Sequence, residues 1–365
     1  MKVLILSANP QSFANVKAVG ISLVYQGIDV SYLDTQSLYH QRFEVPSKFT
    51  RIITGISSSK PFYISNILRK IRILEALRKV VKSNSKKFDI ILTGDLGMVE
   101  CTIIKTLKVT KVFFIQDALL LRKQKMNLTR RLRYLYYGFR NRFSFCSYIF
   151  CSGQTTKESL ILSGARPEQV YATGIPRFDN SHFESKPYDN KKLTVVVIGE
   201  AFAWHNLNSM QEAQKEFFEY LNDFSISNPA VEILIRKHPR DFYKYPELES
   251  LNFINGLEEG LGESISRANM VIGYAVPSTV LFEIMRDNIP ILFVKHEKIE
   301  YSTMICKNEF FNHVQSVEDF KQLDVQTLKN TINADLDFTS VGTFINHQSS
   351  LPVILDYIMN EMNNA

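Results

Sequence analysis

Cysteine is scarce. Cys101, Cys146, Cys151 and Cys306 are the only four in 365 residues, and their spacing matches neither a zinc site nor a disulfide framework. Reduced thiols in a cytosolic protein are the expectation. No stretch of eighteen apolar residues occurs, so no transmembrane helix is expected. The apolar run within residues 1–8 is too short for a signal peptide and runs straight into Asn9 and Pro10, so it reads as a first strand. The absence of an internal repeat, a low-complexity tract or a heptad pattern excludes solenoids and coiled coils.

What remains is a chain of ordinary globular make-up, 45% hydrophobic and 22% charged, long enough for two domains with separate cores. Short apolar runs at 2–6, 29–33, 90–93, 111–115, 148–151 and 170–172 alternate with helical patterns at 66–81 and 155–163. The second half repeats the scheme, with strands at 193–198, 232–235, 252–254, 270–272 and 291–294, and helices at 209–224, 261–267 and 279–286. Such alternation predicts doubly wound parallel sheets. The expected organisation is therefore a Rossmann-like α/β domain over 1–180, a polar linker over 181–190, a second Rossmann-like domain over 190–345 and a terminal amphipathic helix over 346–365. Ligands of open α/β sheets bind beyond the carboxyl ends of the strands, so two such domains are expected to face a ligand cleft.

Charge is divided unevenly. Residues 1–190 carry 29 Lys and Arg against 13 Asp and Glu, while residues 191–365 carry 14 against 24, within a total of +6. Residues 122–142 hold eight basic residues and no acid, interleaved with Tyr134, Tyr136, Tyr137 and Phe139. Residues 69–87 hold eight more against Glu75 alone. Basic faces with aromatic interleaving attract anionic lipid headgroups. A solvated helix face is the alternative. No nucleic-acid motif accompanies these runs, so nucleic acid is not an expected partner.

Two stretches of the second half carry the chemistry. One strand ends in Arg236, Lys237, His238 and Pro239, and a later one ends in Pro277, Ser278 and Thr279 and opens a helix. Cations beside a hydroxyl-bearing helix start are suited to a phosphate. The plainer alternatives are a loop histidine and an ordinary helix cap. Glu283, four residues after Thr279, points the same way and can accept ribose hydroxyls. Glu258 and Glu259 lie between the two stretches and offer a second ribose or base contact. In the first half, Asn9, Gln11, Ser12 and Asn15 follow the first strand as a loop that can line an acceptor site. Asp95, between Gly94 and Gly97, is one candidate base.

Taken in this order, the motifs resemble bacterial glycosyltransferases of the GT-B architecture. The likeness is to the group of sialyl-, polysialyl- and Kdo-transferases and polyol-phosphate polymerases, which share a His-Pro motif after one strand and a Ser/Thr pair after a later one. The resemblance implies that His238, Ser278 and Thr279 bind the nucleotide phosphate. It also implies a general base from the first domain, where Gln116 and Asp117 follow the strand at 111–115. The group carries an acidic pair with glycine there, or Gln-His-Gly, and this chain has Gln-Asp-Ala. Asp117 is then the proton acceptor and Gln116 an acceptor-site residue. Gly174, Pro176 and Asp179 match a turn found at the interdomain junction of such enzymes. The resemblance implies a metal-independent, inverting transferase of envelope polysaccharide synthesis. Its donor would be a nucleotide-activated sugar, preferentially CMP-linked, and its acceptor a glycan or lipid-linked glycan. It would be cytoplasmic and peripheral to the membrane, with no cofactor. A UDP-hexose transferase, a polyol-phosphate transferase and a non-catalytic nucleotide-sugar-binding subunit are the alternatives. A non-hydrolysing 2-epimerase, which shares fold and His-Pro motif, is disfavoured because its Ser-Gly-Gly run is absent.

Overall fold

Parallel pairing throughout both sheets fixes the layout of the computed structural model, which describes residues 2–40, 43–56, 62, 67–83, 88–109, 111–116, 142–179, 182–189, 191–245, 248, 250–256, 258–304, 310–334 and 349–363. Contacts divide the chain into two units, Met1–Asn180 with Thr343–Ala365, and Ser181–Gly342.

The first unit runs β1 (Lys2–Leu6), α1 (Pro10–Tyr25), β2 (Asp29–Asp34), α2 (Gln36–Tyr39), β3 (Thr50–Ile53), α3 (Ile67–Lys82), β4 (Ile90–Thr93), α4 (Met98–Leu107), β5 (Lys111–Ile115), β6 (Tyr148–Cys151), α5 (Gln154–Leu162) and β7 (Val170–Ala172). Its seven strands lie in the order β3-β2-β1-β4-β5-β6-β7. The second unit runs β8 (Leu193–Ile198), α6 (Asn208–Ser227), β9 (Val231–Lys237), β10 (Leu251–Asn255), α7 (Leu261–Ser266), β11 (Met270–Tyr274), α8 (Thr279–Arg286), β12 (Ile291–Val294), β13 (Gln315–Val317) and α9 (Val325–Ile332). Its order is β10-β9-β8-β11-β12-β13. Both sheets reverse direction of growth beside their first strand, at β1/β4 and at β8/β11. A crevice opens at such a switch point.

Sequence accounts for the centre of each sheet. β8 (LTVVVI) is buried at all six positions, β4 (IILT) at all four and β11 (MVIGY) at all five. A strand covered on both faces reads as a continuous run of β-branched and apolar residues. The edge strands β3 and β13 are short and largely polar or exposed, which limits pairing with other chains. Residues expected as a loop after β1 are helical instead. Pro10 occupies the first helical position, where its missing N–H costs nothing, and Asn9 accepts from the Phe13 amide at 2.8 Å. Gln11, Ser12 and Asn15 are therefore carried by α1. Among the described residues Cys101, Cys146 and Cys151 are free and buried.

Residues 182–189, expected as a linker, are strapped to the second unit. Phe183 is buried and its amide donates to Asp287 Oδ2 at 2.7 Å, while Lys186 exchanges backbone bonds with Ala268 (2.7 Å) and the Asn269 side chain (2.8 Å). The final helix, α10 (Ser350–Asn363), belongs to the first unit's core through Ile354, Ile358 and Met362. The Asp179 carboxylate secures its start, accepting from Ser349 Oγ (3.1 Å), Ser350 Oγ (3.0 Å) and the Leu351 amide (2.7 Å). Gly174, at φ 98°, turns the chain toward that contact. Asp179→Ala removes a helix-start carboxylate with three donors. It is expected to lower stability by about 1–2 kcal/mol, read as the midpoint shift in urea unfolding.

Candidate functional site

The carboxyl end of β11 is built to deliver a helix start. Gly273 has no room for a side chain, since a Cβ would lie 2.5 Å from Leu281 Cδ1, so α8 packs directly on the strand. Ala275 follows at φ 59°, with the Val276 amide 2.6 Å from the Tyr274 carbonyl. A three-residue turn of this kind costs a non-glycine residue about 1–3 kcal/mol. It is braced by the Tyr301 hydroxyl, which donates to the Ala275 carbonyl at 2.7 Å. Ser278 then occupies the N-cap position, but its side chain caps no amide, and its buried Oγ has no partner in full hydrogen-bond geometry among the described residues. The ordinary-cap reading of Ser278 therefore does not describe its hydroxyl. The first amides of α8 have no partner inside the helix, and Ser278 and Thr279 stand at that point.

The second part follows β9. His238 Nδ1 accepts the Arg240 amide at 3.0 Å, which places the neutral ring's proton on Nε2. The His238 carbonyl accepts the Asp241 amide at 2.8 Å. Asp241 is buried and takes the Tyr245 hydroxyl at 2.8 Å. That same hydroxyl accepts from Gln211 Nε2 (2.7 Å) and Gln214 Nε2 (2.6 Å) of α6. Gln214 in turn brackets Glu200, accepting its amide at 2.8 Å and donating to its carbonyl at 3.0 Å. One phenol thus ties the loop after β9 to the loop after β8. Burial and the Asp241 charge hold the Tyr245 proton on its oxygen, well beyond the usual range.

The neighbouring cations and acids have structural partners. Arg236 donates from Nη1 to Ser264 Oγ at 2.8 Å and reaches the Gly260 and Gly256 carbonyls at 3.4 and 3.5 Å, bracing the β10–α7 loop. Lys237 Nζ donates to the Tyr243 carbonyl at 2.9 Å and lies 5.3 Å from the Tyr245 ring centroid. Glu259 takes Arg267 Nη2 on both oxygens, at 2.6 and 2.7 Å, and Glu258 accepts from Asn255 Nδ2 at 2.8 Å. Gly256 lets β10 meet the His-Pro turn, since a Cβ there would lie 2.6 Å from the Lys237 carbonyl. Glu283 is half-buried on α8, one turn past Thr279.

The order β9-β8-β11 sets these groups along one edge. His238 follows β9 and Ser278 follows β11, strands two spacings or about 10 Å apart. Between them is Glu200, a residue that sequence reasoning missed. Burial pushes its carboxyl up to about 8, and Ser278 only partly offsets the rise. An acid two residues past a buried β-branched strand was the available signal. On the same loops, Trp204 and Phe242 are 42% and 72% exposed with rings 6.3 Å apart, and the Arg240 guanidinium lies 5.6 Å over the Trp204 ring.

In the first unit, Asp95 fills the β1/β4 switch point. Its Oδ2 accepts from Ser7 Oγ (2.9 Å) and the Ala8 amide (3.4 Å), and its Oδ1 from Ser12 Oγ (3.0 Å). Burial raises this carboxyl, and these donors oppose the rise. Glu100 beside it is raised further by burial and by the Asp95 charge, so Asp95 takes the charge and Glu100 the proton. Asn15 is buried and its Oδ1 accepts the Arg177 amide at 3.1 Å, a tie within the fold. Gln116 is buried at the end of β5, with its amide on the Phe150 carbonyl at 2.8 Å. Asp117, the side chain of Gln11, and residues 122–141 of the basic stretch lie outside the described residues. Among the described residues no cluster of His, Cys, Asp and Glu is arranged to hold a metal ion.

Tyr245→Phe leaves two glutamine amides and Asp241 short of a partner. It is expected to cost about 1–3 kcal/mol of stability and to weaken ligand binding at both loops. Thermal unfolding with and without ligand separates these two effects.

No family model matches the chain, and no curated protein matches its sequence. Solved structures do match its fold. A putative UDP-N-acetylglucosamine 2-epimerase from Listeria monocytogenes superposes with TM-score 0.64 at 10% identity, over 100% of this chain and 97% of that one. The UDP-GlcNAc 2-epimerase of Methanocaldococcus jannaschii, in complex with UDP-GlcNAc and UDP, gives 0.57 at 13% over 98% and 100%. A lipopolysaccharide outer core galactosyltransferase gives 0.55 at 10% over 99% and 100%. The chain has the fold of the GT-B proteins, two doubly wound parallel-sheet α/β units.

Proposed function

We propose that the protein is a metal-independent, inverting glycosyltransferase of bacterial envelope polysaccharide synthesis that uses a nucleotide-activated sugar, with a CMP-linked acidic sugar preferred. The observation that carries this reading is the pairing of His238 with the α8 start at strand ends flanking the β8/β11 switch point. His238 Nε2–H and the hydroxyls of Ser278 and Thr279 supply donors where a leaving phosphate gains charge. Glu283 and Glu258 are the proposed ribose contacts, while Arg236, Lys237 and Glu259 support the loops.

In the reaction, an acceptor hydroxyl attacks the anomeric carbon from the face opposite the phosphate. The bond to the phosphate oxygen breaks and its electron pair stays on that oxygen. The acceptor proton passes to a carboxylate within hydrogen-bond reach. Asp117 is the proposed acceptor of that proton. Asp95 is the weaker choice, because three donors already occupy its two oxygens. The acceptor is proposed to be a glycan or lipid-linked glycan, held near an anionic membrane surface by the basic stretches of residues 69–87 and 122–142. No helix among the described residues is long and apolar enough to cross a membrane.

A second reading, a UDP-sugar donor, is favoured by the likeness to a fold neighbour that binds UDP-GlcNAc and UDP. A thermal-shift panel of CMP, CDP, UDP and GDP decides between them. A nucleotide with micromolar affinity at hundredfold excess is expected to stabilise by roughly 2.7 kcal/mol. CMP is expected to do so; stabilisation by UDP alone would replace the donor. His238→Ala is expected to abolish the shift. Asp117→Asn is expected to keep the shift and lose turnover, and undiminished turnover would remove Asp117 as base.

A further inference from the structure

The two switch points of this chain are filled in opposite ways. At β1/β4 the acid, Asp95, is met by two serine hydroxyls and a backbone amide. Gly94 there lies so close to α1 that a Cβ would sit 2.6 Å from the Ser12 carbonyl. At β8/β11 the acid is Glu200, on the loop after β8, the other strand of its switch point. It forms no ion pair among the described residues, and the one side chain that modulates its carboxyl is Ser278. The Ser278 Oγ is itself buried and, among the described residues, meets no polar atom in full hydrogen-bond geometry, although its hydroxyl is placed to donate toward the Glu200 carboxyl.

Glu200 is also held rigidly. Gln214 grips its amide and carbonyl from α6, and the preceding Gly199 amide donates to the Arg236 carbonyl at 2.9 Å. A Cβ on Gly199 would approach that carbonyl to 3.3 Å, so the loop lies flat on β9. The backbone of Glu200 is thereby fixed, and its carboxyl lies within reach of Ser278 at the helix start, with no ion-pair partner among the described residues. An ionised carboxylate there would repel an anionic ligand, whereas a protonated one is a donor.

We infer that Glu200 is a phosphate-binding residue that works as a neutral acid, its O–H and that of Ser278 donating to the non-bridging oxygens of the nucleotide phosphate at the start of α8. This inference rests on the nucleotide-sugar reading above and adds a residue and a protonation state to it. Desolvation favours the neutral form: although Glu200 is half-buried by surface area, its environment pushes the carboxyl up to about 8, with Ser278 of α8 opposing. Gln214 of α6 is neutral. The bound phosphate favours the protonated acid further, so binding is linked to one proton.

Affinity for CMP and UDP measured by calorimetry between pH 7 and pH 9 tests this. The second phosphate ionisation lies at about pH 6, so the phosphate charge is nearly constant over that window, and CMP, whose base has no imide proton to lose, is the reference ligand. The wild-type affinity is expected to fall about tenfold from pH 7 to pH 9, as the acid form is lost through its pKa. Glu200→Gln keeps a neutral donor, so its affinity is expected to match wild type within a few-fold at pH 7 and to stay flat to pH 9. Glu200→Ala is expected to be flat and weaker. A wild-type affinity constant over the window, or a Glu200→Gln affinity that falls in parallel with wild type, overturns the inference and leaves the transferase reading standing. No binding of any nucleotide to the wild type at pH 7 overturns both.

Unfolding of the free protein gives a second readout. A carboxyl raised by folding leaves stability intact below its unfolded pKa, near about 4.3. It penalises the fold progressively as pH rises from there toward 8, and fully above. Glu200→Gln is therefore expected to match wild type at pH 4 and to exceed it in Tm at pH 9. Equal Tm values at pH 9 contradict a neutral acid at this position.

Discussion

Parallel pairing constrains this protein more than any single contact. A parallel neighbour is reached only by a crossover, so every strand leaves its sheet at the same edge and every returning helix covers a face. β8 shows the consequence for packing: six consecutive residues are buried, none of them charged. With the faces covered, polar chemistry has one place to go, the loops beyond the strand ends. The reversal of sheet growth at β8/β11 then parts two of those loops. Glu200, His238 and Ser278 lie along one edge for that reason, although some forty residues separate each from the next.

Polar groups at the two switch points illustrate how one topology serves opposite ends. In the first unit the crevice is spent on internal hydrogen bonds, and Asp95 joins α1 to the loop after β4. In the second unit the supporting groups lie one layer back. Tyr245, Gln211 and Gln214 satisfy each other and fix the loop backbones, which leaves the Ser278 hydroxyl and the Glu200 carboxyl facing each other. The strained turn at Ala275 belongs to the same design, since it lifts the chain out of β11 in time to start α8 at Ser278.

Much of this architecture was legible in residue patterns. The buried strands at 2–6, 90–93, 111–115, 148–151, 193–198 and 291–294 fall where uninterrupted apolar runs predict them. β3 and β13 escaped because an edge strand needs no apolar face. α1 escaped because Asn9-Pro10, a turn signal after a strand, is equally the opening of a helix. At the site, His238, Ser278 and Thr279 stood out by residue type and position. Glu200 did not, because its character comes from desolvation, which depends on what packs around it. Partners also escaped: the pattern of cations at 236–237 resembles a phosphate cradle, but Arg236 and Lys237 reach backbone carbonyls of their own unit.

Trp204 is the only tryptophan in the chain. It stands half in solvent, four residues past Glu200, and its ring carries the guanidinium of Arg240, whose amide orients His238. Indole emission responds to nearby charge and to solvent. The protein therefore carries a single indole beside its proposed phosphate loop, and excitation selective for tryptophan over its 16 tyrosines can follow the occupancy of that loop without label or engineered probe.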